Sequence, residues 1–166
     1  MAKLTLQGNP INSLGELPAV GSIAPDFNLV ASDLSVKNIS DFDTDYIVLN
    51  IFPSIDTGTC ATSVRKFNES AAKTENTSVL CISRDLPFAM SRFCGAENLE
   101  NVFTLSDFRD GSFGKDYQVT FSDGPLLGLH SRAIVVLNKS REVVYNEQVT
   151  EIADEPNYEA ALAVIS

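Results

Sequence analysis

Residues 46–60 read Tyr46-Ile47-Val48-Leu49-Asn50-Ile51-Phe52-Pro53-Ser54-Ile55-Asp56-Thr57-Gly58-Thr59-Cys60, and this stretch decides the fold. Tyr46 to Phe52 is a continuous apolar run of the length and kind that forms a strand buried on both faces. Downstream, Cys60, Val64, Phe67 and Ala71 follow one another at spacings of four, three and four, with Arg65, Lys66 and Glu69 on other faces. That period predicts an amphipathic helix over Cys60 to Lys73. One cysteine therefore stands where a sheet ends and a helix begins. Backbone N–H groups in a helix's first turn lack partners, and the macrodipole puts partial positive charge there. A thiol so placed loses its proton more easily, and the thiolate is the nucleophile.

Working outward, Ser78 to Ser83 reads as a second buried strand, and the intervening helix implies a right-handed parallel crossover. Pro87 can open a short helix, Phe88 to Phe93, at no hydrogen-bond cost, with Gly95 placed to end it. Val102 to Leu105 reads as a strand and Ser112 to Tyr117 as a weak helix. Arg132 to Leu137 and Glu142 to Val149 alternate around Asn138-Lys139-Ser140-Arg141, the pattern of an antiparallel hairpin. Asn157 to Ile165 makes a closing helix after Pro156. Upstream, Phe27 to Val30 is a short strand, while Lys3 to Gln7 and Ile11 to Ser13 suggest an N-terminal β-hairpin turning at Gly8-Asn9-Pro10. The expected class is α/β: one domain over residues 1–166, with a mixed central sheet flanked by helices.

At 166 residues the chain is long enough to bury a core without metal or disulfides. A net charge of -10 argues against nucleic acid and anionic membrane surfaces, which need clustered cations. The N-terminus shows no apolar leader, and nowhere do 18 apolar residues run together, so the expectation is a cytoplasmic chain. Three cysteines at irregular spacing are no secreted disulfide framework, and one histidine without C-x-x-C disfavours structural zinc. The cysteines are left as inert thiols or redox groups.

Thiolate chemistry needs activation, access and stabilisation of the leaving charge. Pro53 fixes the turn off the strand and can shield the sulfur. Thr57 stands where its hydroxyl can cap the helix or hydrogen-bond the sulfur or a bound oxygen. The cation could be Arg65, Arg84, Arg92 or Arg132. Cys81, mid-strand between Leu80 and Ile82, reads as structural. Cys94 alone reads as a thiol hidden on a short helix, and the loop Leu126 to Leu129 as plain packing.

The pattern P-x-x-x-T-x-x-C, filled by Pro53, Thr57 and Cys60, resembles the peroxiredoxin signature. Asn50 to Gly58, Ser91-Arg92-Phe93-Cys94-Gly95-Ala96-Glu97 and Glu155-Pro156-Asn157-Tyr158-Glu159-Ala160-Ala161-Leu162 are similar to the bacterial thiol peroxidases, the atypical two-cysteine peroxiredoxins. The likeness runs from Gly8-Asn9-Pro10 to the last helix. It implies a thioredoxin-like fold and a homodimer. It also implies that Cys60 is the peroxidatic and Cys94 the resolving cysteine, with Thr57 and Arg132 completing the site. The implied reaction reduces hydrogen peroxide and alkyl hydroperoxides with electrons from thioredoxin and needs no cofactor. A dithiol relay or sensor, and a non-catalytic binding module, are the competing classes. Absence of C-x-x-C weighs against a general dithiol-disulfide oxidoreductase but leaves the relay role open, and the full residue set weighs against the binding module. His130 lies outside the matched motifs and is assigned no role.

Overall fold

The computed structural model describes residues 2–165. Its centre is a seven-stranded mixed sheet in the order β4-β3-β7-β6-β5-β8-β9, beside a separate two-stranded hairpin, β1-β2. The strands are β1 Lys3–Leu6, β2 Asn9–Asn12, β3 Leu29–Ala31, β4 Val36–Lys37, β5 Tyr46–Ile51, β6 Thr77–Ser83, β7 Phe103–Ser106, β8 Ala133–Asn138 and β9 Val143–Gln148. The helices are α1 Gly58–Lys73, α2 Pro87–Glu97, α3 Ser112–Asp116 and α4 Tyr158–Ala163.

The apolar run works as its pattern predicts. β5 lies centrally, parallel to β6 and antiparallel to β8. Ile47, Leu49 and Ile51 enter a core with Phe27, Phe113 and Tyr117 on one face. Val48 and Phe52 enter the opposite core, formed with Val64 and Phe67 of α1, Met90 of α2 and Ala161 of α4. Strand alternation thus sends one element into two cores. No helix among the described residues is long and apolar enough to cross a membrane.

Four expectations need correction. The hairpin turns at Gln7 and Gly8, both at positive φ (50° and 82°), as a tight two-residue hairpin requires, and Asn9 and Pro10 belong to β2. Pro10 is tolerated there because β2 is an edge strand of this two-stranded sheet. The strand near Phe27 starts at Leu29. β8 does not alternate: all but its last residue are buried, because it lies between β5 and β9 with a core on each face. Finally, Gly95 does not end α2. The helix continues to Glu97 and stops at Asn98, whose left-handed backbone (φ 55°) lets its N–H reach the carbonyls of Cys94 and Gly95.

Candidate active site

Thr57 is the N-cap residue of α1, so Cys60 occupies the helix's first turn. That turn is tied to the sheet from below. Ser63 Oγ donates to the Cys60 carbonyl at 2.8 Å, and Asn50 Nδ2 of β5 donates to Ser63 Oγ at 3.3 Å. The approach loop is tied from the side by Asp85. Its carboxylate accepts from Ser54 Oγ (2.8 Å), Ile55 N (2.7 Å) and Ser83 Oγ (2.6 Å). Pro53 is buried at the turn off β5.

Of the four candidate cations, only Arg132 meets the sulfur. Its Nη1 donates to Cys60 Sγ at 3.3 Å, while its Nε donates to the Ile152 carbonyl at 3.0 Å. Arg65 pairs with Glu97, Arg92 with Asp56, and Arg84 points to the carbonyls of Phe108 and Gly128. Arg132 is 2% exposed and Cys60 fully buried. Among the described residues no carboxylate lies within ion-pair distance of this guanidinium. A buried charge without a counter-charge is costly. Tyr158 of α4 completes the wall: its ring packs edge-on to Phe67 at 5.2 Å and its hydroxyl donates to Glu155. Burial first, and then that carboxylate, push the Tyr158 hydroxyl above the ordinary tyrosine range.

Thr57 departs from the expected geometry. Its hydroxyl makes no cap bond and donates to the Ser54 carbonyl at 3.0 Å, and the residue is exposed.

The structure does not bring Cys94 to Cys60. All three cysteines are free thiols. Cys94 is half-buried in the latter part of α2, where it lines a cavity of about 530 Å³ with Phe42, Leu99 and Phe103. That cavity lies over β7, two strand steps from β5, or about 10 Å across the sheet at about 4.8 Å per step. Burial raises the Cys94 thiol. Cys81 lies fully buried beside Asn50 Nδ2 (3.7 Å), and burial pushes its thiol up to about 12. The loop Leu126 to Leu129 packs Leu126 and Leu129 against Leu4, Ile11 and Ile152, as plain packing predicts.

Sequence reasoning missed Asn50, Ser63, Asp85 and Ile152. A polar Asn50 inside an apolar run was a readable signal, whereas a backbone carbonyl such as that of Ile152 leaves none. His130, given no role, is fully buried, with Nε2 2.9 Å from Asp107 Oδ2. Asp107 also accepts from the N–H groups of Phe113 and Gly114, so the pair pins α3 to the sheet.

The redoxin family model matches residues 19–162. A thiol peroxidase of Mycobacterium bovis is 59% identical over 165 residues, covering 99% of each chain. A peroxiredoxin-like protein from Aquifex aeolicus superposes with a TM-score of 0.92 at 37% identity, covering 98% of this chain and 95% of that one. A thiol peroxidase from Chromobacterium violaceum reaches 0.89 at 21% identity, covering 98% and 94%, and supports the fold alone. The mixed sheet, its flanking helices and the N-terminal hairpin are thus the thioredoxin-like peroxiredoxin fold, as the sequence resemblance implied. On its sequence, its fold and the company of these relatives, the chain belongs to the redoxin family and, within it, to the thiol peroxidases.

Proposed function

We propose that the chain reduces hydrogen peroxide and alkyl hydroperoxides through Cys60, resolves the product with Cys94 of the same subunit, and is recycled by thioredoxin. The observation that carries this reading is the buried Arg132 guanidinium, 3.3 Å from Cys60 Sγ and without a carboxylate partner among the described residues. The sulfur that this guanidinium faces is the nucleophile of the proposed reaction.

In the first step the Cys60 thiolate attacks one peroxide oxygen. The S–O bond forms as the O–O bond breaks, and sulfur loses two electrons to the peroxide. The second oxygen leaves with a proton as water or alcohol. Arg132 and the first-turn N–H groups of α1 stabilise charge developing on that oxygen, the electrostatic kind of catalysis. Thr57 at the mouth has lone pairs to accept a hydrogen bond from a peroxide O–H. Pro53 closes the floor of the turn. Cys60 is then a sulfenic acid. Attack by the Cys94 sulfur forms an S–S bond and releases water. Two electrons from a thioredoxin dithiol reopen the disulfide by exchange. No metal or organic cofactor enters this cycle. The reading includes a homodimer in the cytoplasm.

The test is peroxide consumption with thioredoxin, thioredoxin reductase and NADPH. The parent protein turns over and Cys60→Ser does not. A Cys60→Ser protein that still consumes peroxide at the parent rate would end the proposal.

A further inference from the structure

The segment that follows β9 holds two parts of the site at once. Ile152 gives its carbonyl to Arg132 Nε at 3.0 Å, and Ala153 gives its carbonyl to the Thr59 hydroxyl at 3.0 Å in the first turn of α1. These adjacent residues therefore fix both the guanidinium and the turn that carries Cys60.

What fixes them in turn is the N-terminal hairpin, through Glu151. Thr5 N donates to the Thr150 carbonyl (2.8 Å) and Ile152 N to the Thr5 carbonyl (2.9 Å), so β1 runs parallel along this segment. Glu151 Oε1 accepts from Gly8 N at 2.8 Å and from the Thr5 hydroxyl at 3.2 Å. Its Oε2 accepts from Ala153 N at 2.9 Å. One carboxylate thus ties the hairpin's turn on one oxygen and the residue that binds α1 on the other. Hydrogen bonds to an ionised acceptor are the stronger kind.

We propose that Glu151 is a positioning residue for Arg132, and that the hairpin is its abutment. Glu151 touches neither the sulfur nor the peroxide. It sets the Ile152 carbonyl, and that carbonyl sets the plane of the guanidinium. A planar fork held by Nε on one side can aim Nη1 in only one direction. Small misplacements of such a group carry large rate penalties. This assignment rests on the proposed role of Arg132 toward the leaving oxygen.

The test is a double-mutant cycle on the rate of Cys60 oxidation by hydrogen peroxide, followed by quenched flow and thiol trapping. The four proteins are the parent, Glu151→Ala, Arg132→Lys and the double variant. Glu151→Ala should slow oxidation about tenfold in the parent background and less than about twofold beside Arg132→Lys, because a lysine has no fork to aim. An equal loss in both backgrounds, or no loss in the parent, overturns the Glu151 assignment alone. Arg132→Lys reacting as fast as the parent overturns the proposed role of Arg132, and the Glu151 assignment with it. Should Glu151→Ala fail to fold, Glu151→Gln enters the same cycle. It keeps one acceptor oxygen and should show about a threefold loss with the same dependence on Arg132.

Discussion

Each of the first two helices carries a cysteine, Cys60 fully buried and Cys94 half-buried, yet the helices are built differently. α1 runs 16 residues and buries Cys60, Ala61, Ser63, Val64 and Phe67. α2 runs 11 residues and buries only Pro87 and Met90. The first turn of α1 is bonded to β5 through Asn50 and Ser63, and to the segment after β9 through Thr59. The later turns of α2 hold on through the half-buried Phe93, packed against the core, and through exposed contacts, Arg65 with Glu97 and Arg65 over the Phe93 ring at 5.3 Å. Exposed pairs of that kind contribute little, whereas each fully buried Val or Phe contributes roughly 1.5–3 kcal/mol. A disulfide needs Cα atoms within about 7 Å, so under the proposed cycle Cys60 and Cys94 have to be brought together from two separate helices. If the proposed disulfide forms, the contrast favours movement in α2, because the first turn of α1 is bonded to β5 and to the segment after β9 while α2 buries less.

The sharpest break in this contrast would come from Cys94→Ser. Under the proposed cycle it should consume about one equivalent of peroxide per subunit at the parent's initial rate and then stall, since the sulfenic acid has no partner. Thiol trapping and mass measurement separate the two phases. Undiminished thioredoxin-linked turnover would show that resolution happens elsewhere, and the comparison between the helices would lose its chemical meaning.

Arg132→Lys comes next in size. It replaces the planar fork that bridges the Ile152 carbonyl and Cys60 with an ammonium that lacks this fixed geometry. The initial oxidation rate should fall about 10²-fold, the usual effect of losing one preorganised donor to a developing oxyanion. Resolution, which uses α2, should not slow in proportion.

How much of this could be read beforehand depended on whether the information was periodic or local. The strand Tyr46 to Ile51, the α1 stripe and the position of Cys60 were legible because spacing alone specifies a buried face. The end of α2 was not. Gly95 looked like a stop, but it carries no positive φ in the structure, and the left-handed residue is Asn98 three positions on. Gly at a helix end and Gly within a helix are written alike, and only tertiary contacts decide between them. β8 was misread as half-exposed because its buried partners, β5 and β9, are fixed by topology. In the site, Thr57 was legible from its place just before Cys60 and Arg132 was singled out by the resemblance, while Asp85 and the Ile152 carbonyl act through contacts that no local pattern encodes.

Cys81 sharpens the comparison from the opposite direction, as a thiol built to stay out of the chemistry. Its thiol is pushed up from 9.0 to about 12 by burial. Below pH 9 the thiol is protonated whether the chain is folded or not, and the site contributes its full stability. Above it the unfolded chain loses the proton first, so native stability declines by about 1.4 kcal/mol per pH unit until the folded thiol titrates. Urea titrations at about pH 9 and about pH 10 should show the parent losing about 1 kcal/mol more than Cys81→Ala. The buried tyrosines titrate alike in both proteins and cancel. Equal slopes would mean that Cys81 is not held in the apolar site described, and lost peroxidase activity in folded Cys81→Ala would give it a chemical role.

The smallest effect is also the most direct probe of which helix yields. Gly95 lies inside α2, and an added Cβ there meets nothing within 4 Å. Gly95→Ala should therefore stabilise α2 by about 1 kcal/mol, the ordinary difference in helix propensity. If α2 must unwind around Cys94 to form the disulfide, that gain is lost on the way to the bridge, and resolution should slow about fivefold. Oxidation of Cys60 should keep the parent rate, because α1 is untouched. Gly58 provides the matched control: it opens α1, and a Cβ there also meets nothing within 4 Å. With α1 held by Asn50, Ser63 and Ala153, Gly58→Ala should leave the resolution rate within about twofold of the parent's. Slower resolution in Gly58→Ala together with an unchanged Gly95→Ala would reverse the assignment. α1 would then be the helix that opens, and the bonds under Cys60 would be contacts that are broken and remade in every cycle.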